Sequence, residues 1–199
     1  MKKELGHYQI GESYGGSQDW FTELWMNRGG CGAVTACDVC IYLAKYRGMT
    51  NLYPFDPQNV TREDFLAFGN QMRPFLSPRH RGINTTGLFI DGFRAYLATR
   101  PGPVPGMTAV QGGESAGHAA AAIRRQIDGG LPIPYLMLLH TDKALEDYNW
   151  HWFILNGYDD GPDGLMVKAA TYGHWEWLPF PHLWDTGHEE KGGFVLLSI

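Results

Sequence analysis

The feature that most constrains the fold is a change in hydrophobic periodicity about two thirds of the way along the chain. Before residue 130, apolar side chains recur at steps of three and four residues, which is the period of an amphipathic helix. After it, short apolar runs are separated by Gly, Pro and Asp turns, a pattern typical of strands. This order predicts an α+β fold with helices first and an antiparallel β-sheet last.

The same patterns give the predicted elements. Helices are expected over 32–47, 61–75, 86–98 and 115–127, after a short amphipathic segment over 18–26. Strands are expected over 104–110, 133–139, 150–158, 165–171, 174–178 and 193–197, with a hairpin-type turn over 159–164. Residues 1–17 have no clear period and are predicted to form an N-terminal arm. Residues 18–199 are predicted to form one domain, with its helical part over about 18–130 and its sheet part over about 131–199.

Composition and charge exclude several classes of function. The net charge is −5, and the one small basic cluster, between Arg73 and Arg81, is broken by two prolines, so we expect no nucleic-acid partner. No stretch approaches the roughly 18 uninterrupted apolar residues of a membrane span, and the first residues lack the apolar core of a signal peptide. Three cysteines crowded together do not make a secreted disulfide framework. We therefore expect a cytoplasmic protein with no membrane partner.

Cys31 lies in the segment NRGGCG (27–32), where a glycine-rich turn meets the predicted helix 32–47. A helix N-terminus lowers the pKa of a thiol through its free N–H groups, and a neighbouring imidazolium lowers it further. The same N–H groups can donate to a developing oxyanion. Gly29 and Gly30 leave space for a substrate backbone. We predict that Cys31 is a nucleophile and that both glycines contact substrate; a buried structural cysteine is the alternative.

The other two cysteines are predicted to be structural. Cys37 shares the apolar face of the helix with Val34 and Ile41. The spacing of Cys37 and Cys40 is CxxC, but without a second CxxC or an adjoining His it is a weak metal or redox signal. A second possible metal set lacks a compact ligand pattern: His140, Asp142, His174 and His182. We expect no metal and no cofactor.

His151 is the predicted base. It begins the strongly apolar run HWFILNGY (151–158), so the strand would hold its ring rigidly. Trp150 and Trp152 on either side are predicted to exclude water and to line a substrate cleft. His140, which follows the predicted strand 133–139, is the second choice. A capping histidine at a strand edge is the structural alternative.

Together these residues resemble the papain-like cysteine peptidase superfamily, especially small bacterial members akin to bacteriocin-leader-processing peptidases. In that superfamily a Cys-Gly pair begins the central helix, as Cys31-Gly32 does here, and a His begins a strand that ends in Gly-Tyr, as His151 does. The aromatic-Gly motif after the next strand resembles Tyr172-Gly173. The resemblance covers roughly residues 18–198 and implies a papain-like fold with a Cys–His thiolate–imidazolium pair.

Two positions depart from the family pattern. The oxyanion-hole Gln six residues before the Cys is replaced by Trp25, so Asn27 is the candidate donor, with Gln18 as the alternative if it folds back. The Asn or Asp that orients the His would fall at Ala170 or Thr171, of which only Thr171 can form a hydrogen bond through its side chain. Spatial substitutes for this orienting residue are Asp142, Asn156 and Asp159.

The resemblance implies hydrolysis of an amide bond, in a peptide or protein substrate, through an acyl-enzyme on Cys31. Two alternatives stay open: an acyltransferase that uses the same Cys–His pair, and a catalytically inactive papain-like domain that binds a peptide or a partner.

Overall fold

The computed structural model describes residues 1–162 and 164–199. Within these residues six α-helices form: α1 (Leu24–Gly29), α2 (Cys31–Arg47), α3 (Arg62–Met72), α4 (Thr86–Leu97), α5 (Ala116–Asp128) and α6 (Phe180–Trp184). Nine strands form within the same residues: β1 (Lys2–Glu4), β2 (Gln9–Ile10), β3 (Ser13–Tyr14), β4 (Gly106–Gln111), β5 (Ile133–Met137), β6 (His151–Gly161), β7 (Gly164–Thr171), β8 (His174–Pro179) and β9 (Gly193–Ser198). Short 3-10 helices occupy Gln18–Trp20, Thr50–Leu52 and Lys143–Tyr148.

Seven strands form one antiparallel sheet in the order β4-β9-β5-β6-β7-β8, with β1 paired to β6. The predicted α+β class is therefore confirmed at this level. The segregation along the chain is less complete than predicted, because β1 and β4 lie outside residues 131–199 and still belong to this sheet. Strand pairing depends on which edges are free in the folded sheet, and hydrophobic periodicity does not contain that information.

Helix α2 is the centre of the molecule. Every residue from Cys31 to Ala44 is buried, and the helix packs against β6. A helix that is apolar on nearly all sides is typical of a core surrounded by other elements. It begins one residue before the predicted start and ends at Arg47 as predicted, where Gly48 adopts a left-handed φ of 72°.

The other helix predictions are confirmed with small shifts at the ends. Thr61 caps α3, with its hydroxyl accepting from the N–H of Asp64. Helix α3 ends at Met72 rather than at residue 75, because Pro74 has no N–H with which to continue the helical hydrogen bonds. Helix α6 was not predicted; it carries a proline in its first turn, which a helix start tolerates.

The segment 1–17 packs on the domain through several contacts. Strand β1 pairs with residues 157–159 of β6, and Tyr8 is buried with its hydroxyl donating to the carboxyl group of Asp38 on α2. Strands β2 and β3 form a small hairpin, and the N–H of Tyr14 donates to the carbonyl of Gly173. This segment therefore supports both α2 and the strand that begins at His151.

Strands β6 and β7 pair as far as Gly161 and Gly164, which is the position of the predicted turn 159–164, although Asp163 in that turn lies outside the described residues.

None of the helices in residues 1–162 and 164–199 has the length and apolar content needed to cross a membrane.

Candidate active site

Cys31 is the first residue of α2, and Gly30 is the junction that places it there. Gly30 ends α1 and begins α2, with φ −80° and ψ 2°. A Cβ atom on Gly30 would lie 2.3 Å from the carbonyl oxygen of Met26, so only glycine fits between the two helices. The sharp junction leaves the first N–H groups of α2 without helical acceptors, and these lie beside the Cys31 thiol.

His151 is the first residue of β6 and faces Met137 of β5. The preceding residue, Trp150, has a left-handed φ of 54°, and its N–H donates to the carbonyl of Leu138 over 2.7 Å. The His151 side chain is 4% exposed. Backbone hydrogen bonds of the sheet therefore fix the position of His151 and with it the place from which its imidazole extends.

The fold brings Cys31 and His151 together at one small cavity. The N–H of Trp152, the residue after His151, is directed at the Cys31 sulfur and lowers its pKa, as do the N–H groups of Gly32 and Cys31 itself. The cavity measures about 10 Å³, which is room for about one water molecule. Its wall comprises Gly16, Gln18, Cys31, Val34, Thr35, Asp38, His151, Trp152, Phe153, Ala170, Thr171 and Tyr172.

Thr171 and Tyr172 orient the imidazole. Nε2 of His151 lies 2.6 Å from Oγ1 of Thr171, and Nδ1 lies 3.4 Å from the hydroxyl of Tyr172. The Tyr172 ring stacks on the imidazole with centroids 4.6 Å apart and planes 4° apart. In the tautomer whose Nε2–H donates to Thr171, Nδ1 carries no hydrogen and can accept a proton.

The electrostatics favour an uncharged thiol on Cys31 and an uncharged imidazole on His151. Burial lowers the pKa of His151 to about 4, so the imidazole is uncharged at neutral pH. Burial also raises the pKa of the Cys31 thiol, and the three nearby N–H groups offset only part of this effect. Both shifts oppose the thiolate–imidazolium pair expected from the family resemblance, since each disfavours the charged form.

Gln18, and not Asn27, reaches the cavity. Its Nε2 donates to the Asn27 carbonyl over 3.1 Å, while its Oε1 is buried without a hydrogen-bond partner among the described residues. The Asn27 amide points away and donates to the carbonyl of Asp19 over 3.3 Å. Asn27, the predicted donor, is therefore not among the residues that line the cavity, and its side-chain amide is directed toward the segment before α1.

Two of the predicted substrate-contacting residues are also corrected. Trp152 is 1% exposed, stacks on Phe89 with centroids 4.2 Å apart, and donates its indole N–H to the carbonyl of Ile83. It is a core residue that contributes its backbone N–H to the site. Gly30 is buried at the helix junction. Trp150 and Gly29, in contrast, line a surface groove that reaches Cys31.

Backbone strain is concentrated around this site. Among the described residues, the non-glycine residues with a left-handed φ are Arg81 (67°), Trp150 (54°) and Tyr172 (50°). Arg81 and Trp150 line the groove, and Tyr172 stacks on His151. Such conformations cost about 1–3 kcal/mol each and tend to collect at functional sites.

Cys37 and Cys40 have the structural role that the sequence predicts. Both are completely buried, and burial raises the pKa of each thiol. In residues 1–162 and 164–199, no three His, Cys, Asp or Glu side chains are arranged to hold a metal ion. His140 and Asp142 instead join a hydrogen-bond network with His182.

Sequence reasoning did not identify Asp38 as part of the site. This residue lies two helical turns after Cys31, faces the same cavity, and accepts hydrogen bonds from Tyr8 and from the N–H of Gly16. Burial raises the pKa of its carboxyl group to about 7. The available signal was an acidic residue at a seven-residue spacing from Cys31 inside an otherwise apolar helix.

Comparisons with protein-family models, with curated proteins and with solved structures give no match to this chain.

Proposed function

We propose that the protein is a papain-like cysteine hydrolase that cleaves an amide bond in a peptide or protein. The observation that carries this proposal is the meeting of a helix-start thiol, Cys31, and a strand-start imidazole, His151, at one cavity. Thr171 holds Nε2 of that imidazole, and Nδ1, which lies 3.4 Å from the Tyr172 hydroxyl, is left as the proton acceptor. A nucleophile, a base and a residue that orients the base are the parts that acyl transfer requires.

In the proposed reaction a substrate carbonyl reaches Cys31 from the surface groove. As the sulfur attacks, Nδ1 of His151 accepts the thiol proton, so the ion pair forms during the reaction and does not have to exist beforehand. The oxyanion is stabilised by the N–H of Cys31 and by the second Nε2–H of Gln18, whose first Nε2–H donates to the Asn27 carbonyl. His151 then protonates the leaving amine, and water releases the acyl group with His151 again as the base.

Thr171 would serve where the family has an amide or a carboxylate. A hydroxyl accepts one hydrogen bond from Nε2–H and adds no negative charge, which agrees with the low pKa of the His151 imidazole. Because the nucleophile works only as a free thiol, we also propose a reducing compartment, the cytoplasm, as the place of action.

The test combines alkylation of the thiols with cleavage of a peptide pool. At neutral pH we expect iodoacetamide to label Cys31 well before Cys37 or Cys40, and His151→Ala to slow the labelling of Cys31 by about tenfold or more. His118→Ala, an exposed histidine on α5, is the matched control and should change nothing. Peptide mapping by mass spectrometry gives the labelling rate of each thiol.

Cleavage of the peptide pool should decline as the pH falls through about 4, because the His151 imidazole then becomes protonated and can no longer accept a proton. Equal labelling of all three thiols, together with no cleavage at any pH, would contradict the hydrolase and favour an inactive binding domain. Product formation that requires an added amine would identify an acyltransferase instead.

A further inference from the structure

A surface groove begins at Cys31 and is lined by aromatic and cationic side chains. It measures about 230 Å³. Two exposed indoles line it, Trp25 on α1 at 58% exposure and Trp150 before β6 at 36%. We call it the arginine–tryptophan groove, since its other large side chains are Arg28, Arg79 and Arg81.

The charge of this groove is opposite to that of the whole chain. The protein has 21 acidic and 16 basic residues, yet no carboxylate is among the residues that line the groove. A neighbouring depression shares Trp25 and Arg79 and adds Arg73 and His80. A concave surface with charges of one sign focuses its field and attracts ligands of the other sign.

Of the three guanidinium groups in the groove, those of Arg28 and Arg79 are available to a ligand. The third, on Arg81, pairs with Glu190 over 3.3 Å and lies 5.3 Å from the centroid of the Trp150 ring. Arg28 and Arg79 are exposed, and neither has a carboxylate partner among the described residues. The planar fork of a guanidinium matches a carboxylate with two parallel hydrogen bonds.

The shape of the groove is held at a cost in backbone strain. Arg81 and Trp150, whose guanidinium and indole are in contact, both have a left-handed φ, and the Trp150 N–H donates to the carbonyl of Leu138. Bulky residues avoid this conformation unless the surrounding structure imposes it. The arrangement keeps an indole and a cation side by side at the entrance to Cys31.

We infer that the arginine–tryptophan groove binds an acidic stretch of a peptide, placing its carboxylates on Arg28 and Arg79 and its backbone between the two indoles. This inference rests on the proposed function, in which that peptide is the substrate and its scissile bond lies at Cys31. An extended peptide suits the groove because the site continues past Trp25 into the second cationic depression. A nucleic acid suits it less well, because the net charge of −5 repels a phosphate backbone elsewhere on the surface.

Binding is measured by calorimetry on Cys31→Ala, which cannot cleave the ligand. The probes are peptides of equal length with a central Ala-Gly flanked on one side by two glutamates, two glutamines, two lysines or two phosphoserines. We expect the glutamate peptide to bind about tenfold more tightly than the glutamine peptide and to lose this advantage at high salt. Arg28→Gln together with Arg79→Gln should remove the difference.

Arg125→Gln is the matched control, because Arg125 is exposed on α5, outside the groove. It removes the same charge and should leave the tenfold preference unchanged. Equal affinity for the glutamate and glutamine peptides would overturn the inference. So would tighter binding of the phosphoserine peptide or of a single-stranded hexanucleotide, each of which identifies another class of partner.

Cleavage of the same peptides by the unaltered protein is the separate readout for the proposed function. If the glutamate peptide binds through Arg28 and Arg79 but is never cleaved, the groove assignment stands and the hydrolase fails. If other peptides are cleaved while glutamate gives no advantage in binding, the hydrolase stands and the groove assignment fails.

Discussion

Helix α2 contains three cysteines in two different settings. Cys31 begins the helix, lies beside three N–H groups and borders a surface groove. Cys37 and Cys40 lie in the middle of the helix, completely buried and surrounded by apolar side chains. Burial raises the pKa of all three thiols, so burial alone does not distinguish them.

The difference lies in what else surrounds each sulfur. At a helix start the N–H groups are free to stabilise a thiolate, whereas in the interior each N–H is already bonded to a carbonyl one turn back. Access is the second difference, since Cys31 borders a cavity and a groove, whereas Cys37 and Cys40 have no exposed surface. We therefore expect the position of a thiol along α2 to decide its reactivity.

The largest effect is expected from removing the thiol at each of the two settings in turn. Cys31→Ala should reduce the cleavage rate by about 10³-fold or more and destabilise the fold less than loss of a fully buried thiol, because Cys31 borders a cavity and a groove. Cys40→Ala should do the reverse, costing about 1–2 kcal/mol of stability through a buried cavity while the rate per folded molecule stays near that of the unaltered protein. Peptide cleavage and urea unfolding measure the two quantities, and a large rate loss in Cys40→Ala would break the comparison.

A smaller effect is expected from disturbing the helix start itself. Gly30→Ala places a Cβ atom 2.3 Å from the Met26 carbonyl oxygen, so the junction of α1 and α2 must shift, at a cost of about 3 kcal/mol and with loss of activity. Gly48→Ala at the other end of α2 meets no atom within 4 Å and should cost only about 1 kcal/mol for its left-handed φ. Thermal unfolding and cleavage assays on both variants test this; equal losses would show that Gly30 has no special role.

The smallest effect is expected from removing the Thr171 hydroxyl, which orients His151, the proposed base for the Cys31 thiol. Thr171→Val removes the hydroxyl that lies 2.6 Å from Nε2, and we expect the catalytic rate to fall about tenfold while the Michaelis constant stays the same. Thr171→Ser restores the hydroxyl and should recover most of the rate. A merely structural role would instead lower the melting temperature in both variants, with no recovery of rate by serine.

The sequence predicts the helices well because their burial is one-sided or complete. Helix α2 is recognisable from the glycine stop at Gly48 and from apolar residues at three- and four-residue steps, among them Val34, Cys37 and Ile41. The antiparallel strands of the last third are also within one to three residues of their predicted bounds. Strand β1 escaped prediction because a three-residue segment becomes a strand only when the free edge of β6 is beside it.

The site is less predictable, for physical reasons that differ from residue to residue. Strand β6 is buried on both faces from His151 to Tyr158, so alternation does not indicate that Trp152 is a core residue and Trp150 an exposed one. The approach of Gln18 depends on the turn between two short helices, whose geometry is fixed by packing. Thr171 was predicted from the family resemblance as the position of the residue that orients His151, and its hydroxyl lies 2.6 Å from Nε2 of that residue.

The position of β9 has a consequence for the order in which the molecule assembles. This strand lies between β4 and β5, although both precede it in the chain by many residues. A nascent chain can therefore form α2 with Cys31 early, while β5, the neighbour of the His151 strand, gains its other partner only after residue 193 has been made. Pairings between such distant segments are slow to form. During synthesis the thiol is consequently present before the sheet that holds its proposed base is complete.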